Sequence, residues 1–584
     1  MAKRPWHQQP LLFALLKLRE FRNNLRRDNL HDTSQFPDRD KLPKPAATNG
    51  KGHLKARTPD GSYNDPDSPE MGMAGTRFGR NVPLADAFPD KDKLLTPNPR
   101  VLSRKLMTRE EFVPATIVNL LAAPWIQFQN HDWMSHGDNQ PNNKVEIPLE
   151  EDDPWPQEHR PLAIKKTLED ESRDPNDTSN PPSFINEVTH WWDGSQIYGS
   201  DRETVEKLRS HVDGKLTIED NGLLPLDPEL GIDSTGFNDN YWIGLSLLHT
   251  LFVKEHNTIC DRLKQKYSNM SDDELFDKAR LINAALMAKI HTVEWTPAIL
   301  PHPATVAALN ANWYGLLGQK FKNFIGRIGD SEALSGIIGS STDQFGAPYY
   351  LTEEFVSVYR LHPLIPDDYD FRSLDGDRTV LQKNFFEISG NRARAVVEQV
   401  GMDDLFYSFG TAYPGAITLH NYPKFLQQFA KDNGEVFDLA AVDILRDRER
   451  GVPRYNRFRE LLGRGKVKSF DEITSNPTWA SELKELYNND IDSIDLMVGM
   501  FAEDLPDGFG FSDTAFRIFI LMASRRLKSD RFFTKDYTAE VYTQLGLEWI
   551  DKTSMLDVLE RHYPALAPCL EGVENAFAPW KRAA

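Results

Sequence analysis

A tyrosine and a histidine lie three residues apart in the segment VYRLHPLIPD, residues 358 to 367. We predict that Tyr359 and His362 belong to one buried helix, where positions i and i+3 are neighbours on the same face. A phenol and an imidazole placed in this way could contact one flat ligand together. For an isolated pair, a core tyrosine beside a core histidine is the alternative.

A second histidine occurs in the segment WIQFQNHDW, residues 125 to 133. Gln127 precedes His131 by four residues, so both are expected on one helical face, while Asp132 points elsewhere. This segment alone also fits a structural histidine. A chemical role therefore depends on both histidine segments being part of one site.

Four segments in a fixed order point to a known group of proteins: QFQNHDW, LLHTLFVKEHN, VYRLHPLIPD and RDRERGVPRYNRFRELLG. Together they resemble the peroxidase–cyclooxygenase superfamily of haem proteins over roughly residues 110 to 535. Within it, AKIHTVEWT, NANWYGLLG, LTEEFVSVYRLH and FILMASRRLKSDRFF are similar to the fatty-acid α-dioxygenases. The resemblance implies a mostly α-helical, animal haem peroxidase-like fold around a buried haem.

The resemblance also implies the residues that hold the haem. His362 would be the proximal iron ligand and His131 the distal histidine, which also counts as catalytic, with Gln127 on the same distal helix. Asn456 of PRYNRF would be the partner that orients His362, because such hydrogen bonds fix the imidazole ring and tune the metal. We therefore expect haem b as a cofactor.

Departures from the haem peroxidases refine this expectation. Two acids that esterify the haem in mammalian peroxidases align here with Asn130 and Tyr241, so we expect the haem to be bound without covalent links. The distal arginine of peroxidases aligns with Asn238, so ordinary peroxidase turnover should be weak.

In the family, a tyrosine beside the proximal ligand forms a phenoxyl radical that removes a hydrogen atom from the substrate. Tyr359 matches it and is the predicted catalytic residue. The reaction implied is fatty acid plus O2 giving a 2-hydroperoxy fatty acid. Alternatives are a haem peroxidase of the same superfamily and a non-catalytic haem-binding protein.

The family pattern supplies three residues for the fatty-acid carboxylate, His291, Thr296 and Arg526, with Arg525 as the less favoured arginine. An arginine can bind a carboxylate through two parallel hydrogen bonds. Because Pro297 disfavours helix at the preceding residue, we expect a helix end at Thr296 that directs its hydroxyl to the carboxylate.

Alternating residues in EVTHWWDGSQIYGS suggest a cation site. Carboxylates, hydroxyls and main-chain carbonyls are the oxygen ligands that Ca²⁺ prefers, and the superfamily uses this loop with the aspartate after the distal histidine. A metal-free turn is the alternative. The predicted Ca²⁺ ligands are Asp132, Thr189, Trp191 (through its carbonyl), Asp193 and Ser195.

The elements that must position these residues read as helices, because apolar residues return every three or four positions after about residue 105. Residues 31 to about 105 are rich in Pro, Asp, Gly and Asn and are predicted to form an irregular arm. We therefore predict a first part, residues 1–105, with an N-terminal helix and extended arm, and a haem-binding helical dioxygenase domain over residues 106–584.

Composition excludes some classes of function. The 584 residues carry 68 Lys and Arg against 87 Asp and Glu, a net charge of −19, which disfavours nucleic acid as a partner. Two cysteines, Cys260 and Cys569, are too few for a disulfide framework or a thiolate metal cluster.

The N-terminal segment is basic with a short apolar stretch. It lacks a small-residue cleavage site, so we expect no signal peptide, and no apolar run reaches the ~20 residues needed to span a bilayer. Leucines between Leu11 and Leu18 could form an amphipathic face for peripheral membrane contact or could pack on the protein itself. We expect a monomer, cytoplasmic or at a membrane surface.

Overall fold

The structure, a computed structural model, describes residues 4–35, 38–46, 52–430 and 434–583. Residues 1–3, 36–37 and 47–51 of the predicted N-terminal part, and residue 584, lie outside the described residues.

Helices dominate the fold, as predicted. In chain order the α-helices are α1 (Leu11–Asp28), α2 (Pro99–Leu102), α3 (Ala122–Trp133), α4 (Ser195–Tyr198), α5 (Arg202–Leu208), α6 (Ile243–Lys266), α7 (Asp272–Ile290), α8 (Thr296–Ile299), α9 (Pro303–Tyr314), α10 (Gly318–Ile325), α11 (Glu332–Ser335), α12 (Glu353–Val358), α13 (Ala393–Val400), α14 (Met402–Thr411), α15 (Leu439–Glu449), α16 (Tyr455–Leu461), α17 (Pro477–Leu486), α18 (Leu496–Ala502), α19 (Asp513–Ser529), α20 (Ala539–Lys552), α21 (Met555–His562) and α22 (Ala567–Leu570).

Strands are short and form antiparallel pairs. The pairs are β1 (Thr76–Arg77) with β4 (Ile185–Asn186), β2 (Asn139–Ile147) with β3 (Leu162–Thr167), β5 (Asp368–Arg372) with β6 (Thr379–Asn384), and β7 (Phe429–Ala430) with β8 (Val436–Phe437). Each pair forms a two-stranded sheet, so the core is built from helices.

Two long helices, α6 and α7, pack against each other, and α3 packs on α6. Local sequence defines where such helices begin. Ser271 and Glu274 form a reciprocal capping box at the start of α7, and the Ser512 hydroxyl accepts a hydrogen bond from the main chain of Ala515 at the start of α19. These helices carry or flank the predicted site residues.

The N-terminal helix α1 is attached to the main body. Its residues Ala14, Leu18 and Leu25 are buried, and the Arg26 guanidinium lies 3.0 Å from a Glu332 carboxylate oxygen. Side chains from both sides of position 105 share one hydrophobic core; the division of the chain at that position stays a prediction. Among the described residues no helix has the length and apolar character required to cross a bilayer.

The predicted helix through Tyr359 and His362 is interrupted, so that prediction is wrong in part. Helix α12 ends at Val358, with Tyr359 as its C-cap residue, and a 3₁₀ turn begins at His362. Pro363 contributes to the break, because it lacks the N–H that a continuous helix would bond to the Tyr359 carbonyl. The phenol and the imidazole can therefore point in different directions.

Candidate functional site

Tyr359 lies in an aromatic pocket. Its ring stacks on Phe519 at a centroid distance of 4.2 Å and contacts Phe355 at 4.3 Å. The side chain is 2% exposed, and its hydroxyl has no hydrogen-bond partner among the described residues. Burial raises the pKa of this phenol, so it stays protonated. An unpartnered buried hydroxyl of this kind is rare and requires an explanation.

Arg526 presents a second unpartnered group. Its guanidinium is centred 3.7 Å from the ring of Trp133 and 4.3 Å from that of Trp192. It is 1% exposed, and none of its three nitrogens has a hydrogen-bond partner in the part of the chain that the structure describes. Burial lowers the pKa of Arg526. A buried cation without a carboxylate is costly, which points to an anionic ligand.

The other candidate arginine is already occupied. Arg525 donates to the main-chain carbonyls of Ala347 and Pro348, at 2.8 and 2.9 Å. Of the two arginines left open by the sequence, only Arg526 therefore offers its full hydrogen-bonding edge to a ligand.

His291 reaches the same aromatic wall. Its ring lies 5.3 Å from the rings of both Trp133 and Trp192. Its Nδ1 accepts a hydrogen bond from Trp125 Nε1 at 3.2 Å, and burial holds its pKa well below the ordinary value. A neutral ring that accepts at Nδ1 carries its proton on Nε2. His291 can therefore donate a hydrogen bond to a carboxylate.

The chain stays helical through Thr296, so the predicted break in the helix at this residue is wrong. A π-helical turn, His291–Trp295, leads directly into α8, which begins at Thr296. The Thr296 hydroxyl donates to the His291 carbonyl at 2.7 Å, and it could donate to a carboxylate only by giving up that bond.

His362 is held by a carboxylate. Its Nδ1 lies 2.9 Å from Asp443 Oδ2, and the Tyr422 hydroxyl, 3.2 Å from the same nitrogen, donates to Asp443 at 3.0 Å. Burial alone would raise the pKa of Asp443, but the contacts with His362, Arg360 and Tyr422 lower it. The other ring nitrogen of His362 remains available as a metal ligand.

Asn456 does not contact His362, which corrects the prediction for this residue. Its Nδ2 donates to the Val467 carbonyl at 3.1 Å and to Asp492 at 2.8 Å, and its Oδ1 accepts from the Val467 N–H at 2.8 Å. Both ends of the amide are thus used in joining α16 to the following loop. Asp443 is the hydrogen-bond partner of His362, which is the role that we predicted for Asn456.

The distal residues His131 and Gln127 both lie on α3. His131 is buried, its Nδ1 has no hydrogen-bond partner among the described residues, and burial lowers its pKa to about 3. Gln127 is held by two neighbours: its Oε1 accepts from Trp242 Nε1 at 2.7 Å and its Nε2 donates to the Asn240 carbonyl at 3.1 Å. Its contact with a cofactor stays a prediction.

The predicted calcium ligands converge with one another. The Ser195 hydroxyl donates to the Asp132 carbonyl at 2.9 Å, and the Thr189 hydroxyl donates to Asp193 at 3.0 Å. Burial raises the pKa of both Asp132 and Asp193, and for Asp132 the neighbouring Asp193 adds to the rise. Asp132 Oδ2 is buried and unpartnered among the described residues. Two buried carboxylates with hydroxyls nearby fit a hard cation.

Comparison with known proteins gives the family. The animal haem peroxidase family model matches residues 56–573. An alpha-dioxygenase of Oryza sativa is 39% identical over 98% of this chain and 93% of its own length. The crystal structure of a tyrosine-to-phenylalanine variant of Oryza sativa fatty acid alpha-dioxygenase with palmitic acid superimposes with a TM-score of 0.90 at 37% identity, over 99% of this chain and 95% of that one. The Arabidopsis thaliana fatty acid alpha-dioxygenase structure also gives 0.90, at 36% identity over 99% and 90% of the two chains.

The chain belongs to the alpha-dioxygenases of the animal haem peroxidase family. The predicted family and fold are confirmed, and haem binding is expected of an alpha-dioxygenase in this family. The residues present fit a haem. A histidine that gives one nitrogen to a carboxylate and keeps the other free is typical of metal ligands, and His362 has this arrangement with Asp443. The unpartnered His131 Nδ1 adds a buried polar group on the distal helix.

Two sets of residues in this alpha-dioxygenase were missed by the sequence reasoning. Asp443 lies before the PRYN segment in the sequence. No spacing in the sequence links it to His362. Trp133 and Trp192 each stand beside a predicted calcium ligand, in NHDW and WWDG, but nothing in these segments shows that both rings face one arginine.

Proposed function

We propose that this protein adds O2 to the C2 carbon of fatty acids, giving 2-hydroperoxy fatty acids through a radical on Tyr359. One observation carries the proposal: the Tyr359 hydroxyl and the Arg526 guanidinium are both buried and unpartnered among the described residues, and both side chains contact the Trp133 ring. Tyr359 can accept a hydrogen atom and Arg526 can bind an anion. Removal of hydrogen from the carbon next to a carboxylate requires two such groups close together.

Substrate binding begins with the carboxylate. Arg526 supplies the charge and two parallel N–H donors, and His291 supplies Nε2–H from the second side. Since the Trp133 ring contacts both His291 and Tyr359, the carbon next to the head group is held close to the phenol. The acyl chain would extend into apolar surroundings, where each buried methylene adds ~0.8 kcal/mol.

His362 would hold haem b through its second ring nitrogen, without covalent links to the protein, and His131 would lie near the bound group. When bound, the haem supplies the oxidising power that converts the Tyr359 phenol to a phenoxyl radical. Asp443 holds the His362 ring in orientation, and burial lowers the pKa of His131, so its imidazole stays neutral beside the bound group. Trp133, Phe355 and Phe519 exclude water around the phenol.

A Ca²⁺ ion bound by Asp132, Thr189, the Trp191 carbonyl, Asp193 and Ser195 would connect the distal helix to the following loop. The support is the pair of buried carboxylates, Asp132 and Asp193, which repel each other. Arg280 pairs with Asp193 at 3.2 Å, whereas Asp132 Oδ2 has no hydrogen-bond partner among the described residues. The role proposed for the ion is structural, because Asp132 is adjacent to His131.

Helix α1 would place the protein, as a monomer, at a membrane surface. Leu12 and Phe13 are 66% and 58% exposed, and Leu11 and Leu16 are exposed beside them. Lys17 and Arg19 supply basic groups near these side chains. Exposed apolar residues with basic neighbours suit an anionic lipid interface.

The test is oxygen uptake by haem-loaded protein with palmitic acid. Tyr359→Phe should abolish uptake and leave the haem spectrum and palmitic acid binding intact, whereas Arg526→Ala should weaken binding. Persistent uptake in Tyr359→Phe would exclude the radical role. Rapid oxidation of guaiacol by peroxide without fatty-acid turnover would favour a peroxidase, and no turnover of any substrate would favour a haem-binding protein without catalysis.

A further inference from the structure

The Arg526 guanidinium is enclosed by aromatic rings. Its central carbon lies 3.7 Å from the centroid of Trp133, 4.3 Å from Trp192 and 4.9 Å from Phe355. We call these three rings the arginine cage. A cation over an aromatic face is attracted by the ring quadrupole, and the attraction is strongest where water is excluded.

Other buried arginines in this chain combine an aromatic contact with a carboxylate. Arg100 lies 5.0 Å from the Trp155 ring and also pairs with Asp153 at 3.0 Å and Asp438 at 2.8 Å. Arg57 lies 4.7 Å from Phe532 and pairs with Asp530 at 2.8 Å. Rings near an arginine are therefore common here, and Arg526 differs from these in having rings without the acid.

We propose that Trp133 and Trp192 are positioning residues that stabilise the Arg526 cation through their ring faces and so keep its N–H edge free for the substrate carboxylate. The inference rests on the proposed fatty-acid function. A protein carboxylate at this place would neutralise the guanidinium and compete with the substrate for the same donors. Ring faces stabilise the charge without using any N–H group.

The cage is fixed by its surroundings. Trp192 Nε1 donates to Gln129 Oε1 at 2.8 Å, and the Trp133 and Trp192 rings meet edge to face at 5.3 Å. Trp133 belongs to α3, the helix of His131, and Trp192 precedes Asp193 of the predicted calcium loop. The cage should therefore affect selectivity for a charged head group, and it should not affect recognition of the alkyl chain.

The experiment measures equilibrium binding of palmitic acid and of hexadecan-1-ol to haem-loaded protein carrying Tyr359→Phe, so that no turnover occurs. Into this parent we introduce Trp133→Leu, Trp192→Leu or Trp133→Phe. Trp155→Leu is the matched control, since it removes a buried tryptophan beside an arginine that has its own carboxylates. Thermal unfolding of each protein is recorded in parallel.

We expect Trp133→Leu and Trp192→Leu to weaken palmitic acid binding about tenfold while hexadecan-1-ol binding is unchanged. Trp133→Phe should recover part of the loss, because a smaller ring still faces the cation. Trp155→Leu should leave both affinities at the parent value. If one leucine variant does not fold, the other one decides the question.

If the leucine variants lose affinity equally for palmitic acid and hexadecan-1-ol, or for neither, the proposal that the cage stabilises the Arg526 charge is wrong. Failure of the proposed function gives a different result. In that case the parent protein itself shows no preference for palmitic acid over hexadecan-1-ol, before any tryptophan is changed.

Discussion

The Asp443 carboxylate lies 2.9 Å from Nδ1 of His362, and the Tyr422 hydroxyl donates a hydrogen bond to the same carboxylate. A carboxylate partner draws the Nδ1 proton towards itself and makes the imidazole a more basic ligand than an amide partner would. With His362 as the proposed haem ligand, this arrangement would stabilise an oxidised metal more than a reduced one.

Asp443→Asn should therefore raise the reduction potential of the bound haem and weaken haem binding by about 10- to 100-fold. Spectroelectrochemical titration and haem-transfer measurements would check this. Tyr422→Phe keeps the carboxylate but removes a hydrogen bond that it accepts, so Asp443 should draw the Nδ1 proton more strongly and the potential should shift slightly in the opposite direction. A potential unchanged in Asp443→Asn would show that the carboxylate does not influence the ligand.

Calcium should stabilise the protein through Asp132 and Asp193. A ligand at about 100 times its Kd stabilises the state that binds it by ~2.7 kcal/mol, so Ca²⁺ should raise the Tm relative to protein in EGTA. Asp193→Asn should remove most of this response, and Asp177→Asn in an exposed loop should retain it. Identical Tm values with Ca²⁺ and EGTA would argue against the ion.

Glu294 should make stability depend on pH. Burial raises its pKa from 4.5 to about 7, so between these values the folded state keeps a proton that the unfolded state has lost. Stability then falls as the pH rises through this range and is constant above it. Glu294→Gln should match the parent near pH 4 and exceed it by about 3 kcal/mol at pH 8.

Denaturant unfolding at a series of pH values measures this difference, with Glu560→Gln, an exposed glutamate, as the control. A constant difference between Glu294→Gln and the parent across the range would mean that the carboxyl group ionises normally.

Membrane contact should depend on the exposed end of α1. Leu12→Asp combined with Phe13→Asp should reduce sedimentation with vesicles of phosphatidylserine and phosphatidylcholine several-fold, because buried apolar area and charge attraction both decrease. Leu230→Asp, at a leucine 55% exposed elsewhere on the surface, is the control. Equal sedimentation of the α1 variant and the control would show that α1 does not contact the membrane.

The sequence predicted the family and the helical fold, because ordered segments and residue types carry that information. The choice of Arg526 as the carboxylate anchor stays a prediction, supported by its unpartnered guanidinium. The sequence did not predict the end of α12 at Val358 or the π-helical turn before Thr296, since these depend on how the helices pack. The hydrogen-bond partner of His362 was predicted as Asn456 instead of Asp443 for a related reason. Several polar residues near PRYN could reach His362, and only tertiary contacts select one.

The break between Tyr359 and His362 has an evolutionary consequence. The phenol is fixed by aromatic stacking and the imidazole by a carboxylate, so each side chain is held by a different part of the chain. With the proposed roles, mutations around His362 would tune the bound haem without moving Tyr359, and mutations around Tyr359 would leave the haem ligand in place. Such independence allows natural selection, or a protein engineer, to adjust redox strength and regiochemistry one at a time.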